Sequence, residues 1–494
     1  MVWFRRTLSI IAVLTLVASS ALLACQCESV DAADPGVYEA DVTPFTFPEC
    51  EGTPILRALQ QADSTIDVSI YLLTSVYILS MLIEKQSHGV KVRVLIEGQP
   101  VEYDIGTYEG TRIFRNLIDE GGEVHIINYT GCGTHTYTNL HNKYAVIDGD
   151  TVVITSENWT AANFSAHSEN RGWGAVIRSA GYAQYMESVF ESDFDESRED
   201  VRAFRDVYPD MAPYDKELSY KFSQYSTDTY RATVSPAVTF DNATLQLENL
   251  ISSATKRLYS EQLNISDSYM ESPVDNPYAW MLARAQAGVD TRLVLNTSFD
   301  TDVSQDRAEK VRKINEETLI IASGSPKLSC DIVHNKGLVV DDRTWVGSMN
   351  WTPESINDNR ETSVIIKSQE VSDYYARMFL MDLYSGYIPC EGKEACKVTY
   401  IINGTDMVLN HLEGDKVILP VEPTKRSESI YTYSFSHWDG YTEGMVADHD
   451  ITLVAVFDRH NALEENGWFV MVAIALGVIA ALALAHWYFR HGKI

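Results

Sequence analysis

His141-Asn142-Lys143-Tyr144-Ala145-Val146-Ile147-Asp148 returns 193 residues later as His334-Asn335-Lys336-Gly337-Leu338-Val339-Val340-Asp341. Each copy runs on into a Ser-x-Asn-Trp-Thr segment, Ser156 to Thr160 in the first and Ser348 to Thr352 in the second. Counted on without gaps, a glutamate follows each serine by 13 residues, Glu169 and Glu361. So long a period, with its polar residues held in register, marks an internal duplication. The flanks repeat as well. Thr65 to Leu73 reads as a strand, Val76 to Lys85 as a helix and Val90 to Glu97 as a strand, and the same order returns in Arg257 to Ile265, Pro277 to Gln286 and Thr291 to Asn296. Strands alternating with helices predict an α/β fold, two α/β sandwich halves with a mixed or parallel sheet in each, related by a pseudo-twofold axis.

His and Lys lie two apart on a predicted strand, Leu140 to Ile147 in the first copy, so both side chains leave one face of the sheet. Asp148 and Asp341 complete the motifs with the opposite parity, at the strand end, where they suit the turn and its hydrogen bonds better than proton transfer. Two copies face to face bring His141, Lys143, His334, Lys336 and two asparagines, Asn158 and Asn350, into one pocket. That set suits a phosphodiester. One imidazole attacks phosphorus, the other protonates the leaving oxygen, and the cationic and amide donors hold the non-bridging oxygens. Glu169 and Glu361 are placed to accept from each histidine and fix its tautomer, and Ser156 and Ser348 to support by hydrogen bonding. No metal ligand set and no cofactor is required. A lone His-x-Lys on a strand is usually a solvated edge; duplication with every flanking polar residue retained argues against that here. Trp159 and Trp351 read as core or pocket wall.

The paired His-x-Lys-x4-Asp segments, each with its trailing Ser-x-Asn and Glu, resemble the phospholipase D superfamily over about residues 45 to 388. The resemblance implies a phosphohistidine intermediate, with His141 as nucleophile and His334 as acid. The first copy departs in having Thr155 where the second has Gly347, and in a His-to-Ser spacing of 15 against 14.

At 494 residues the chain has room for about three domains. The expected limits are a half at 35–205, a connector at 206–236 and a second half at 237–388. A small all-β module follows at 396–458, with strands expected at Lys397 to Ile402, Lys416 to Val421, Tyr431 to His437 and Asp450 to Phe457. Its Gly-Asp-Lys-Val-Ile-Leu-Pro from Gly414 and its Trp438-Asp439-Gly440 turn resemble an internalin-type repeat of β-grasp shape, which implies a spacer or a contact with a surface partner. Residues 1–24, with Arg5 and Arg6 ahead of an uncharged apolar run, have the layout of a signal peptide or signal anchor, and Leu22 to Cys25 resemble a lipobox. Trp468 to Phe489 is an uncharged stretch of 22 residues with aromatic edges, followed by Arg490 and Lys493, the pattern of a transmembrane helix with its tail inside. Of seven cysteines, Cys390 and Cys396 are the favoured disulfide, and Cys132 with Cys330 a second candidate.

The formal charge is −30, and becomes −34 once Arg5, Arg6, Arg490 and Lys493 are set aside. A polyanionic substrate such as nucleic acid is therefore disfavoured as a partner. The expected protein is a phosphodiesterase in the cell membrane, single-pass, with its pocket outside the cytoplasm, acting on phosphatidyl groups of phospholipids. Two other readings stay open: a nuclease of the same superfamily acting on extracellular nucleic acid, and a surface adhesin or scaffold whose phosphodiesterase fold is idle.

Overall fold

In a computed structural model the described residues are 36–461, apart from 102, 162–169, 299–300, 328–329, 331, 421, 424 and 429–430, together with 478. The signal segment and all of the Trp468 to Phe489 span but Val478 lie outside them, as does Glu169. Among the described residues no helix is long and apolar enough to cross a membrane.

The first half supplies strands β1 (Tyr38–Phe47), β2 (Thr65–Ile70), β3 (Lys91–Glu97), β4 (Glu123–Ile127), β5 (Lys143–Ile147), β6 (Thr151–Thr155), β7 (Asn170–Arg178) and β8 (Val201–Ala203). The second supplies β9 (Tyr230–Val238), β10 (Arg257–Gln262), β11 (Asp290–Leu295), β12 (Ile321–Ser323), β13 (Ile332–Val333), β14 (Lys336–Val340), β15 (Arg343–Gly347) and β16 (Thr362–Lys367). Rather than two separate sheets they form one, in the order β12-β11-β10-β14-β15-β16-β9-β1-β7-β6-β5-β2-β3-β4-β8, with β13 pairing to β7 off this path. Read toward the β9/β1 joint from β12 and from β4, the order is the same, which is the pseudo-twofold made visible; β8 is an extra edge strand of the first half. Each half is mixed: β2, β3 and β4 run parallel, while β5, β6 and β7 pair antiparallel. The connector expected at 206–236 is corrected by this topology, because Tyr230–Val238 is one of the two strands at the joint, paired to β1 and to β16.

Helices cover both faces. On one face Ala180–Phe194 and Gln369–Gly386 pack over a core shared by the halves, including Tyr182, Met186, Phe190, Trp173, Tyr375 and Phe379. On the other, each half keeps a core of its own, one under Thr53–Gln60 and Val76–Ser87, one under Ala243–Ser252 and Pro277–Gln286. In β2 apolar and polar residues alternate although both faces are covered: Ile66, Val68 and Ile70 enter the first half's own core with Val92, Val94 and Ile96, while Asp67 and Ser69 on the opposite face are buried as well. Trp159 and Trp351 are fully buried and belong to these separate cores.

The C-terminal module is a five-stranded sheet of Ala395–Ile402 (β17), Thr405–Leu412 (β18), Arg426–Glu428 (β19), Tyr431–Asp439 (β20) and Ile451–Asn461 (β21), ordered β18-β17-β21-β20-β19. Thr405–Leu412 was not expected as a strand. Over the described residues 416–420 of the expected Lys416 to Val421 strand, only Lys416 is paired, in a bridge to Val446. The module is fastened to the second half by Asp415, which takes Arg292 at 2.7 Å and Tyr384 Oη at 2.6 Å. All five described cysteines, Cys50, Cys132, Cys330, Cys390 and Cys396, are free thiols, so neither expected disulfide is formed.

Candidate active site

The two motifs enter β5 and β14, equivalent interior strands of the sheet. These begin at Lys143, not at the expected Leu140, and at Lys336, so each histidine lies two residues ahead of its strand. Both lysines are fully buried, and Lys143 Nζ turns back to donate to the His141 carbonyl at 2.9 Å. Lys336 Nζ donates to the His334 carbonyl and lies 3.1 Å from His334 Nδ1. The asparagines between His and Lys face away from the histidines: Asn142 Nδ2 donates to Ser69 Oγ at 3.1 Å and Asn335 Nδ2 to Glu261 Oε2 at 2.9 Å.

Each histidine is held by the opposite half. His141 N–H donates to the Arg360 carbonyl at 2.8 Å, and its Nδ1 lies 2.8 Å from Glu361 Oε2. His334 N–H donates to the Arg171 carbonyl at 2.9 Å, and its Nδ1 lies 3.1 Å from Glu157 Oε1. A carboxylate on Nδ1 fixes the tautomer that leaves Nε2 free to react. Side chains of His141 and His334 keep 13% and 18% of their surface exposed, whereas both glutamates are fully buried. Burial lowers the pKa of His141 to about 4 against the pull of Glu361, and lowers that of His334 against Glu157. Burial also lowers Lys336 to about 8 and Lys143 well below its ordinary value. Each lysine presses electrostatically on the other half's histidine, so the four groups share one site.

The acceptor for His334 is therefore Glu157, a residue the sequence reading passed over. The reason is a three-residue difference in loop length. Ser156 N–H donates to Trp173 O, and Ser348 N–H to Thr362 O, so Asn170-Arg171-Gly172 stands where Asn359-Arg360-Glu361 stands in the other half. The ungapped count from Ser156 to Glu169 misses that register. At Gly172 a Cβ would lie 2.2 Å from Glu157 Oε1. The first half thus has glycine on the strand and brings its carboxylate from the preceding turn, where the second half has Met349, buried and apolar. The equivalent asparagines serve both carboxylates alike: Asn170 Nδ2 donates to Glu157 and Asn359 Nδ2 to Glu361, each at 3.2 Å. The signal available in sequence was the shared Asn-Arg pair, Asn170-Arg171 at the start of β7 and Asn359-Arg360 just ahead of β16.

The Thr155/Gly347 difference has a similar exchange behind it. Thr155 pairs with Gly174 on β7, and Gly347 with Ser363 on β16, so each pair keeps one side chain and one glycine. Thr155 Oγ1 also donates to the Glu157 carbonyl at 2.9 Å, bracing the turn that carries the carboxylate. The longer His-to-Ser spacing lies in the hairpin, where Asp148-Gly149-Asp150 replaces Asp341-Asp342.

Ser348 Oγ donates to Glu361 at 2.5 Å and accepts from Thr362 N, while Ser156 Oγ accepts from Trp173 N at 2.9 Å. Asn158 and Asn350 follow these serines, each with a buried side-chain Oδ1. Asp148 and Asp341, the third members of the two motifs, take the turn position that their parity predicts. They sit at the far end of β5 and β14 with φ 52° each. Asp148 accepts N–H bonds from Asp63, Ser64 and Thr65, and Asp341 from Thr255, Lys256 and Arg257, which holds both carboxyl pKa values low against a smaller-than-usual hydration. Their work is to tie the start of β2 and β10 to the hairpin. Tyr71 was also missed. Its ring meets His141 edge-on at 5.0 Å, whereas Leu263 holds the equivalent place in the second half.

Among solved structures the chain is similar to phosphatidylserine synthase of Haemophilus influenzae Rd KW20, at 15% identity and TM-score 0.50 over 70% of this chain and 89% of that one. It also matches a phospholipase D family member, Nuc from Salmonella typhimurium, at 18% identity over 33% of this chain and 98% of the other, with TM-score 0.29. A mitochondrial cardiolipin hydrolase of Chlamydomonas reinhardtii is 24% identical over 118 residues, 23% of this chain and 46% of that relative, so under half of its length is matched. The family model of the cardiolipin synthase phospholipase D-like domain matches residues 55–194 and 247–383, one segment around each motif. Those two segments make up more than half of the chain, and the protein belongs to this phospholipase D-like family.

Proposed function

We propose that the chain is a phosphodiesterase of phospholipase D type that hydrolyses or transfers phosphatidyl groups. The observation that carries this reading is the crossed pair of buried carboxylates, Glu361 on His141 and Glu157 on His334, each leaving a reactive Nε2 toward one lysine-lined site. His141 Nε2 attacks phosphorus, and His334 gives its proton to the departing alcohol oxygen as the P–O bond breaks. Lys143 and Lys336 balance the charge on the non-bridging oxygens. In the second step His334, now neutral, takes a proton from water or an alcohol, which attacks the phosphohistidine and frees His141. Water gives hydrolysis and an alcohol gives transfer.

Lipid is favoured over nucleic acid by the formal charge of −30, which repels a polyanion, and by the uncharged Trp468 to Phe489 stretch, whose length suits a membrane anchor. With the anchor's basic tail inside, the pocket faces out of the cytoplasm. The C-terminal β module then stands between anchor and catalytic halves as a spacer, in keeping with its internalin-like sequence. The test is a panel run on the full chain in detergent with excess chelator: phospholipid vesicles, single-stranded DNA and a nitrophenyl phosphodiester. Release of headgroup alcohol from phospholipid, surviving the chelator, is expected. Cleavage of DNA in preference to lipid would move the assignment to the nuclease reading, and no turnover of any substrate would favour the idle scaffold.

A further inference from the structure

The strand segments that reach across to the histidines each carry a buried arginine, which meets its histidine through the main-chain carbonyl while its guanidinium turns to a carboxylate of the opposite half. Arg360 belongs to the second half by sequence. Its guanidinium crosses to the first half, where Nε meets Asp193 Oδ2 at 2.9 Å on helix Ala180–Phe194. Nη1 also donates to the Thr239 carbonyl at 2.8 Å. Arg171 of the first half does the reverse: Nε lies 2.7 Å from Asp382 Oδ2 and Nη2 3.0 Å from Asp382 Oδ1, on helix Gln369–Gly386 of the second half. Its Nη1 donates to Glu49 and to the Phe47 carbonyl, each at 2.6 Å. Both arginines are at most 4% exposed and their aspartates at most 1%.

We infer that Arg171 and Arg360 are positioning residues, a crossed pair of clasps that each fasten one half's segment to the other half so that its carbonyl and the associated carboxylate meet the histidine there. The register supports this in detail. Arg360 is clasped to the half that owns His141, and residues 360 and 361 supply both contacts of His141, through the Arg360 carbonyl and the Glu361 carboxylate. Arg171 is clasped to the half that owns His334, supplies the carbonyl contact of His334, and follows Asn170, which holds Glu157 against that ring. A buried guanidinium paired with a buried carboxylate and bonded by a second nitrogen, to the same carboxylate for Arg171 and to the Thr239 carbonyl for Arg360, is directional and hard to displace, which suits it to setting the position of a main-chain segment. The same arrangement is built twice, with different side chains around it, so it follows the site rather than one local packing solution.

The clasps rest on the proposed phosphodiester chemistry for their catalytic effect, but their geometry is read without turnover. In full chain labelled with 15N in the histidine rings and held in detergent, Arg360→Gln is expected to move the Nδ1 and Nε2 resonances of His141 and to leave those of His334 in place. Arg171→Gln is expected to do the reverse. Assignments come from His141→Ala and His334→Ala. Turnover of a nitrophenyl phosphodiester is expected to fall at least about tenfold in kcat with KM little changed, since a loosened histidine costs transition-state geometry rather than binding. Arg360→Lys and Arg171→Lys, which keep the charge, are expected to recover part of the loss. Should either glutamine variant fail to fold, Asp193→Asn and Asp382→Asn remove one charge from each clasp without changing shape and carry the same cross-pattern. Resonances of both histidines moving together in every variant, or of neither, would overturn the assignment. So would unchanged kcat in variants whose melting temperature alone falls. A wild-type chain with no turnover would instead remove the proposed activity and leave the ring resonances to decide the clasps.

Discussion

Replacing Glu157 by Met, the residue type at the equivalent position of the second half, takes from His334 the carboxylate that holds Nδ1 at 3.1 Å. A hydrogen bond to a charged group contributes about 1.5–3 kcal/mol net. If that is lost from the transition state, the rate falls roughly 10- to 150-fold, at a factor of ten for each ~1.4 kcal/mol. Gly172→Glu alone should be worse for the fold, because its Cβ would lie 2.2 Å from Glu157 Oε1 and 2.3 Å from Glu157 Cγ, and it adds a second buried carboxylate. Overpacking of that kind costs about 1–3 kcal/mol before the charge is considered. Gly172 has no left-handed φ, so the strand itself accepts a side chain once the space is clear. The double variant Glu157→Met/Gly172→Glu therefore rebuilds the second half's arrangement in the first. It should regain about tenfold or more over Glu157→Met, a coupling visible in a double-mutant cycle of kcat and melting temperature. A double variant no faster than Glu157→Met, or a Glu157→Met variant as fast as wild type, would refute the exchange.

Lys336, whose pKa burial brings down to about 8, must be charged to hold a phosphate oxygen. The free-enzyme profile of kcat/KM should thus fall as pH rises through about 8, and a flat profile up to pH 10 would contradict it. Asp148→Ala should lower stability by about 1.5–3 kcal/mol by chemical denaturation while kcat per folded molecule stays unchanged. Because folding depresses the Asp148 pKa, its contribution is present above about pH 4 and fades as pH falls below that, so wild type and variant should converge in acid. Protease added to intact cells should remove residues before about Gly467 and spare the Arg490 to Ile494 tail; a protected pocket would reverse the orientation.

What the sequence made legible was whatever a period or a parity can carry. The duplication pointed to two equivalent strands, although these begin at Lys143 and Lys336 and leave each histidine two residues ahead of its strand, and the opposite parity of Asp148 and Asp341 pointed to the turn they occupy. Pro277 to Gln286 was read to the residue, because Asn276 caps it and proline starts it. Glu157 was lost because a carboxylate can reach one point in space from two positions in the chain, and a count without gaps sees only one. Tyr230–Val238 was lost in a Tyr- and Ser-rich stretch because its pattern reflects pairing on both edges with β1 and β16, a tertiary fact. Arg171 and Arg360 looked like ordinary charged residues, since nothing local shows that Asp382 and Asp193 wait in the opposite half.

The central claim is that His141, held by Glu361, becomes covalently bound to phosphorus. Quenching the full chain with alkaline detergent during turnover of a phospholipid labelled with 32P in its phosphodiester, followed by peptide mapping at alkaline pH, tests it directly. Acid-labile label on the peptide containing His141, absent from His141→Ala and still formed by His334→Ala with a nitrophenyl leaving group, is the predicted result. Label on His334 with the leaving-group rescue in His141→Ala would exchange the roles, and turnover without label on either histidine would contradict the account.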